Sequence, residues 1–290
     1  MIQHLSNPYS AQTWCHAARE AGHSIGFVAT MGALHEGHAS LIQRALIEND
    51  HVVVSIFVNP LQFNKTEDLD KYPRDEAADI ALLESLGVSL VFTGTPAQFL
   101  GEAEHHQTTE LKSPGIYAQG LEGDYRPGHF EGVREVVSRL FGFVGPCRAY
   151  FGEKDYQQVK IIEQLAEEMN DIEVIACATS REESGLARSS RNQRLSVRGK
   201  QDAAIIYQAM QVANDLWQQG ERQPKTLQAA MLAVLETSSI DLEYAQVRDP
   251  SHWTAQQPEH DIKQARVFIA GNIEGVRLID NAAMGNIIFR

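Results

Sequence analysis

The chain has 290 residues, 43% of them hydrophobic and 22% charged, the composition of a globular protein with an ample core. Its formal net charge of −13 argues against a nucleic-acid backbone as partner, but leaves room for a local basic pocket that takes a small anion. No apolar run is long enough to span a bilayer, and the three cysteines, Cys15, Cys147 and Cys177, are odd in number and widely spaced, which argues against a disulfide framework or a zinc knuckle.

Taken in chain order, Ser10 is placed to cap a helix over 11–20 that stops at Gly22. The apolar run 25–29 reads as a short buried strand, and 39–47 has helical apolar spacing. Residues 51–58 are nearly continuous in apolar side chains, as in a central parallel strand buried on both faces, and Asn59-Pro60 ends them. A helix over 75–87, a strand over 88–92, a helix within 128–143, a short strand at 149–151, a helix over 156–169 and a strand at 173–177 continue the alternation. Such alternation builds βαβ units on an open parallel sheet. The stretch 94–124 shows no clear period. Beyond Thr179 the pattern changes to helices around 198–219 and 225–238, then strands near 242–247, 266–270 and 275–280. The fold expected is therefore α/β: a Rossmann-like parallel-sheet domain over 1–179 and a smaller C-terminal α+β domain over 180–290.

The most informative segment is Thr30-Met31-Gly32-Ala33-Leu34-His35-Glu36-Gly37-His38. It lies where a strand becomes a helix, where backbone N–H groups and the helix dipole favour a phosphate. A spacing of three puts both imidazoles on one face of the first turn. A zinc-hydrolase helix would space its ligands by four, as His-Glu-x-x-His, so His-x-Gly-His fits attack at phosphorus better than metal ligation. Taken alone, two histidines in a turn fit polar surface equally well.

Three further groups sit at matching places. Gly152-Glu153-Lys154-Asp155 ends a strand and opens a helix, with a lysine for phosphate charge and an aspartate for ribose hydroxyls; alone it also fits an ordinary turn. Ser189-Ser190-Arg191-Asn192, in the polar stretch 180–194, offers two hydroxyls and a guanidinium to a polyphosphate tail, and alone also fits a solvated loop with a helix cap. A mobile clamp there would exclude water from a bound nucleotide. Gln62 and Gln158 are neutral amides that can hold a small acid without quenching its nucleophilic charge. Arg74, Arg126, Lys154, Arg188, Arg191 and Arg194 are the candidates for a basic pocket.

These segments, with Ser55–Phe63, Tyr72-Pro73-Arg74, Arg126–Phe130 and Arg277–Asn281, occur in an order that resembles the pantothenate synthetase (pantoate–β-alanine ligase) family over most of the chain. That family belongs to the nucleotidylyltransferase-like Rossmann enzymes. The resemblance implies two half-reactions: pantoate and ATP give pantoyl adenylate and pyrophosphate, and β-alanine then gives pantothenate and AMP. It implies His38, His35 and Lys154 as catalytic residues. It implies an ATP site from Met31, Gly32, Ala33, Leu34, His35, Glu36, Gly37, His38, Gly152, Glu153, Lys154, Asp155, Ser180, Arg188, Ser189, Ser190 and Arg191. Gln62 and Gln158 match the pantoate and β-alanine glutamines. Mg²⁺ accompanies ATP, with ligands that the sequence leaves unassigned; Asp79 is one contact to consider. A cytoplasmic homodimer, with no nucleic acid or membrane partner, is the remaining expectation.

The chain departs from the family pattern at several points. Ala29 replaces a proline, Cys177-Ala178-Thr179 replaces Val-Pro-Thr, and 99–110 lacks Met-Tyr-Pro. In the linker Ser184 replaces an acid and Arg188 an apolar residue beside the phosphate clamp. These changes are expected to retune ATP affinity or linker mobility without abolishing activity. The alternatives carried forward are a nucleotidylyltransferase that stops at nucleotide transfer, a nucleotide-binding paralogue without turnover, and a zinc-dependent hydrolase.

Overall fold

The computed structural model describes residues 2–63, 69–101, 111–169 and 171–285. Most of the 99–110 stretch lies outside them. The chain forms two compact units: Met1–Ala118, Gly123–Gly152 and Gln157–Ala178 make the first, and Gln119–Glu122, Glu153–Tyr156 and Thr179–Arg290 the second. Two short segments from before Thr179, Gln119–Glu122 and Glu153–Tyr156, thus group with the second unit.

The first unit holds six strands: β1 (Gln3–Leu5), β2 (Ile25–Thr30), β3 (His51–Ile56), β4 (Leu90–Phe92), β5 (Cys147–Gly152) and β6 (Ile172–Cys177). Every pairing is parallel, in the order β1-β4-β3-β2-β5-β6. The helices between them are α1 (Pro8–Glu20), α2 (Glu36–Glu48), α3 (Glu76–Leu86), the short α4 (Pro96–Leu100), α5 (His129–Val144) and α6 (Tyr156–Met169). Alternate residues of a strand face opposite ways. Phe27, Val53 and Phe92 join one core with Phe99, Phe141 and Phe151, while Val28, Val52, Val54 and Val91 join another with Ile42 and Leu83. A sheet covered on both faces explains why these strands read as continuous apolar runs. Each such side chain, fully buried, contributes about 1.5–3 kcal/mol.

The order of strands reverses between β2 and β5, the switch point at which open α/β sheets bind ligands. The ladder joining these strands pairs Gly26 with Arg148 and Phe27 with Ala149, while β2 runs on to Thr30 and β5 to Gly152. The carboxyl ends therefore diverge at the place where the His motif and the Gly152–Asp155 segment begin.

Some boundaries differ from expectation. The first helix starts at Pro8 under an Asn7 cap, not at Ser10, because proline at the first helical position lacks only an N–H that would be orphaned there. β1 is a short, mostly exposed edge strand that no apolar pattern announces. The helix expected over 198–219 is two, α7 (Val197–Ala203) and α8 (Ile205–Gln218), separated by a tightened turn at Ala204.

The second unit has an antiparallel sheet, β7 (Asp241–Arg248), β8 (Arg266–Ile273) and β9 (Val276–Ala283), with α7, α8 and α9 (Pro224–Leu235). Met210, Ala213, Trp217, Leu227 and Met231 share one core with Val247, Val267 and Ile269. Its N-terminal segment is fastened by Trp253, whose indole donates to the Gln119 carbonyl at 3.2 Å, and by Arg277, which grips both oxygens of buried Glu122 at 2.9 and 2.7 Å.

Candidate active site

The first group of site residues follows β2. Thr30 is buried, donates to the Ser55 carbonyl at 2.8 Å and accepts from the Gly32 amide at 3.2 Å. Gly32 (φ +78°) and Ala33 (φ +51°) then turn the chain through the left-handed region. Asp79, in the first turn of α3 and 5% exposed, holds this turn: its carboxylate accepts from the Ala33 amide at 2.9 Å and the Leu34 amide at 2.7 Å. A Cβ on Gly32 would lie 2.9 Å from the Asp79 Oδ2, so the loop is closed against that acid. Burial, the larger influence, pushes the Asp79 carboxyl up from 3.8 against the pull of the two amides.

His35 is the N-cap of α2, a position usually taken by Ser, Thr, Asp or Asn. Its Nδ1 accepts from the Gly37 amide at 3.1 Å, and Nδ1 of His38 accepts from the His35 amide at 3.3 Å. The rings lie 4.2 Å apart, centroid to centroid, at 41°. An Nδ1 that accepts carries no proton in the neutral ring, so both imidazoles are held as the tautomer that donates through Nε2. The amides of Gly32, Ala33, Leu34, His35, Gly37 and His38 all donate inside the protein. Glu36 is exposed and Met31 half-buried.

Gln62 closes a short turn, Pro60–Gln62, capped by Asn59. Asn59 donates through Nδ2 to Gln62 Oε1 at 3.3 Å and to the Gly132 carbonyl at 3.0 Å. That contact orients the amide so that Nε2 of Gln62 points to the Met31 sulfur, which it contacts. The Gln62 carbonyl accepts from His129 Nδ1 at 3.0 Å and from Arg126 at 3.3 Å. Arg74 turns its guanidinium to the Leu69 carbonyl at 2.9 Å. Gln158 is half-buried in the first turn of α6, next to buried Gln157, which donates to the Tyr117 carbonyl at 2.7 Å. Asp79, Asn59 and His129 hold the candidate loop and Gln62 in place, a part that the sequence alone did not assign to them. An acid four residues before core Leu83, on the buried face of α3, was the available signal for Asp79.

The second group belongs to the second unit. Lys154 and Asp155 follow Gly152, with Lys154 Nζ 3.7 Å from Asp155 Oδ1. Ser180 and Arg188 close a tight hairpin, the Arg188 amide donating to the Ser180 carbonyl at 2.9 Å, and Ser184 lies exposed at its tip. Directly after it Ser189 caps a 3₁₀ turn over Ser190–Arg194, its hydroxyl accepting from the Arg191 amide at 3.3 Å. Ser190 is buried, while Ser189 and Arg191 are half-exposed. Among the described residues no group of three or more His, Cys, Asp or Glu side chains could hold a metal ion. Both oxygens of Asp79 already serve amides.

A doubly wound parallel sheet with a His-x-Gly-His helix start at its switch point defines a Rossmann-type α/β enzyme of the nucleotidylyltransferase-like class. A family model, pantoate-beta-alanine ligase, matches residues 3–283. The pantothenate synthetase of Cytophaga hutchinsonii is 46% identical over 270 residues, 92% of this chain and 94% of that one. The crystal structure of pantothenate synthetase from Thermus thermophilus superposes with a TM-score of 0.87 at 37% identity, covering 98% and 99% of the two chains. That of pantoate-beta-alanine ligase from Francisella tularensis, complexed with beta-gamma ATP and beta-alanine, gives 0.78 at 34% identity and 98% of each chain. The chain belongs to the pantoate–β-alanine ligase family.

Proposed function

We propose that the chain condenses pantoate with β-alanine at the expense of ATP, which is cleaved to AMP and pyrophosphate. The observation that carries this reading is the pair of imidazoles with fixed tautomers at the switch point of a family member's sheet. In the first half-reaction a pantoate carboxylate oxygen attacks the α-phosphorus of ATP, the bond to the β-phosphate bridging oxygen breaks, and pyrophosphate leaves. Nε2–H of His35 and of His38 donates to the α-phosphate oxygens as charge grows on them. In the second, the β-alanine amine attacks the acyl carbon of pantoyl adenylate, AMP departs, and the nitrogen loses a proton to leave the amide of pantothenate.

Gln62 and Gln158 hold the hydroxyl and carboxylate oxygens of pantoate as neutral donors, so the nucleophile keeps its charge. Lys154, Ser189, Ser190 and Arg191 are assigned to the phosphates, with Ser180 and Arg188 beside them, and Gly152, Glu153 and Asp155 to the nucleoside. Mg²⁺ accompanying ATP would supply charge neutralisation for the departing pyrophosphate. A homodimer is assigned from the resemblance. Residence in a reducing cytoplasm fits Cys15, Cys147 and Cys177, all buried thiols; burial pushes the first two up to about 12. Among the described residues no helix is long and apolar enough to cross a membrane.

The test is AMP release from ATP, Mg²⁺ and pantoate with and without β-alanine, for the natural protein and His38→Ala. Release that needs β-alanine and collapses in the variant supports the ligase. ATP binding without AMP release would favour a paralogue without turnover, and pyrophosphate release with no amine requirement a nucleotidylyltransferase.

A further inference from the structure

The stretch Arg277–Asn281 takes no part in the chemistry above, yet its last two residues bond the Glu153–Lys154 backbone and Arg181, in the hairpin that leads into the Ser189–Arg191 turn. Asp280 and Asn281 lie on β9 opposite Ile269 and Phe268, and each is 4% exposed. Neighbours on a strand face opposite ways, so one dipeptide can serve two sides of the sheet.

On one side, the Asn281 amide nitrogen donates to the Glu153 carbonyl at 2.9 Å and the Lys154 carbonyl at 2.8 Å. Its oxygen accepts from Arg266, which fixes the amide's orientation. Arg266 in turn meets Glu153 Oε2 at 3.3 Å and stacks over the Tyr156 ring at 4.0 Å. The backbone that carries Lys154 is thus held by both protons of one buried amide.

On the other side, Asp280 grips Arg181 at 2.5 and 3.1 Å. Arg181 donates to the Gly185 carbonyl at 3.0 Å across the base of the 180–188 hairpin and lies 4.7 Å from the Tyr207 ring centroid. The hairpin passes its position on through Asn192, whose amide donates to the Ala187 carbonyl at 3.0 Å and so sews the Ser189–Arg194 turn to it. Asp280 Oδ1 also accepts from the main-chain N–H of Asn281 at 2.8 Å, joining the two arms.

We infer that Asp280 and Asn281 are positioning residues for the nucleotide phosphates, Asn281 acting through Lys154 and Asp280 through Arg181 and the Ser189–Arg191 turn. The inference rests on the assignment of Lys154 and that turn to ATP. It makes Lys154 a group whose placement is set by β9, although in sequence it directly follows β5.

The experiment uses the full chain with Asn281→Asp, Asp280→Asn and Lys154→Ala, each checked for cooperative thermal unfolding. The readouts are ATP affinity by calorimetry and KM for ATP and for β-alanine. Misplacing a gripping group costs roughly 10- to 100-fold, so Asn281→Asp and Asp280→Asn should raise KM for ATP by that order with KM for β-alanine within about 2-fold. General loosening of the unit would instead raise both. Where Asn281→Asp does not fold, Asn281→Ser, which keeps one donor, takes its place with an intermediate effect expected. Folded Asn281 and Asp280 variants that bind ATP as the natural protein does, beside a weakened Lys154→Ala, would overturn the inference and leave the assignment of Lys154 standing. Unchanged ATP binding in Lys154→Ala would overturn that assignment and the inference with it.

Discussion

The His35 amide donates to Nδ1 of His38, so the second histidine of the motif caps the backbone of the first. With the Gly37 amide on Nδ1 of His35, each ring ends the helix with one nitrogen and keeps the other as a donor. On the proposed function, structural and chemical roles are divided between the two nitrogens of each imidazole. Spacing of three is what allows this, since the third helical residue is the one whose side chain reaches back to the cap.

The division predicts a separation of stability from rate. His35→Asn keeps a good N-cap acceptor but removes the longer reach of Nε2–H. Its unfolding free energy should change by less than about 1 kcal/mol, while adenylate formation slows by roughly 10²–10³-fold, as when an oxyanion donor is lost. Chemical denaturation and single-turnover pyrophosphate release would measure the two. A large loss of stability with the rate intact would refute the division.

Gly132 lies within α5, where alanine ordinarily gains up to about 1 kcal/mol over glycine. Here a Cβ would sit 2.4 Å from the Leu61 carbonyl oxygen and 3.0 Å from the Gln62 amide. Gly132→Ala should therefore destabilise by about 1–3 kcal/mol, the usual cost of overpacking, and raise KM for pantoate by displacing Gln62. Substrate titration together with thermal unfolding checks both; a stabilised variant with unaltered KM would show that the turn gives way freely.

The parallel core was legible because strands buried on both faces leave apolar runs that nothing interrupts, as in Val52-Val53-Val54. The His motif was legible because strand end, glycines and helix start are contiguous. Asp79 was not, because its partners are backbone amides 45 and 46 residues away that leave no mark in side-chain pattern. Nor was the hold of Asn281 on Lys154, made across 127 residues through a carbonyl. The placement of Glu153–Tyr156 with the second unit has the same cause: local sequence describes a strand running into a helix, while distant hydrogen bonds decide which body the join belongs to.

Asp79 also predicts a pH effect. Its carboxyl binds a proton more tightly in the folded protein than at its ordinary value of 3.8, burial being the main cause. A group shifted upward favours the fold most below its unfolded value, and that share is lost as pH rises through the folded value. The unfolding free energy of the natural protein minus that of Asp79→Asn should then decline as pH increases from 3.8. Paired urea titrations across the acid range give this difference. A difference that rises with pH would mean that the Ala33 and Leu34 amides outweigh burial.

Arg188, where the family resemblance implies an apolar side chain, sits at the closing pair of the Ser180–Arg188 hairpin and beside the Ser189 cap. Its main-chain amide makes the hydrogen bond that closes the hairpin, and leucine keeps that amide, so Arg188→Leu should leave the hairpin closed. What it removes is a cation next to the residues assigned to the phosphates. A partly exposed charge contributes about 0.2–1 kcal/mol, so KM for ATP should rise between about 1.4- and 5-fold while kcat is retained. Salt screens such a charge. KM for ATP in the natural protein should therefore climb more steeply between low and high ionic strength than in the variant. Parallel salt curves for the two proteins would place the Arg188 charge outside the reach of the nucleotide and return the departure from the family pattern to the hairpin alone.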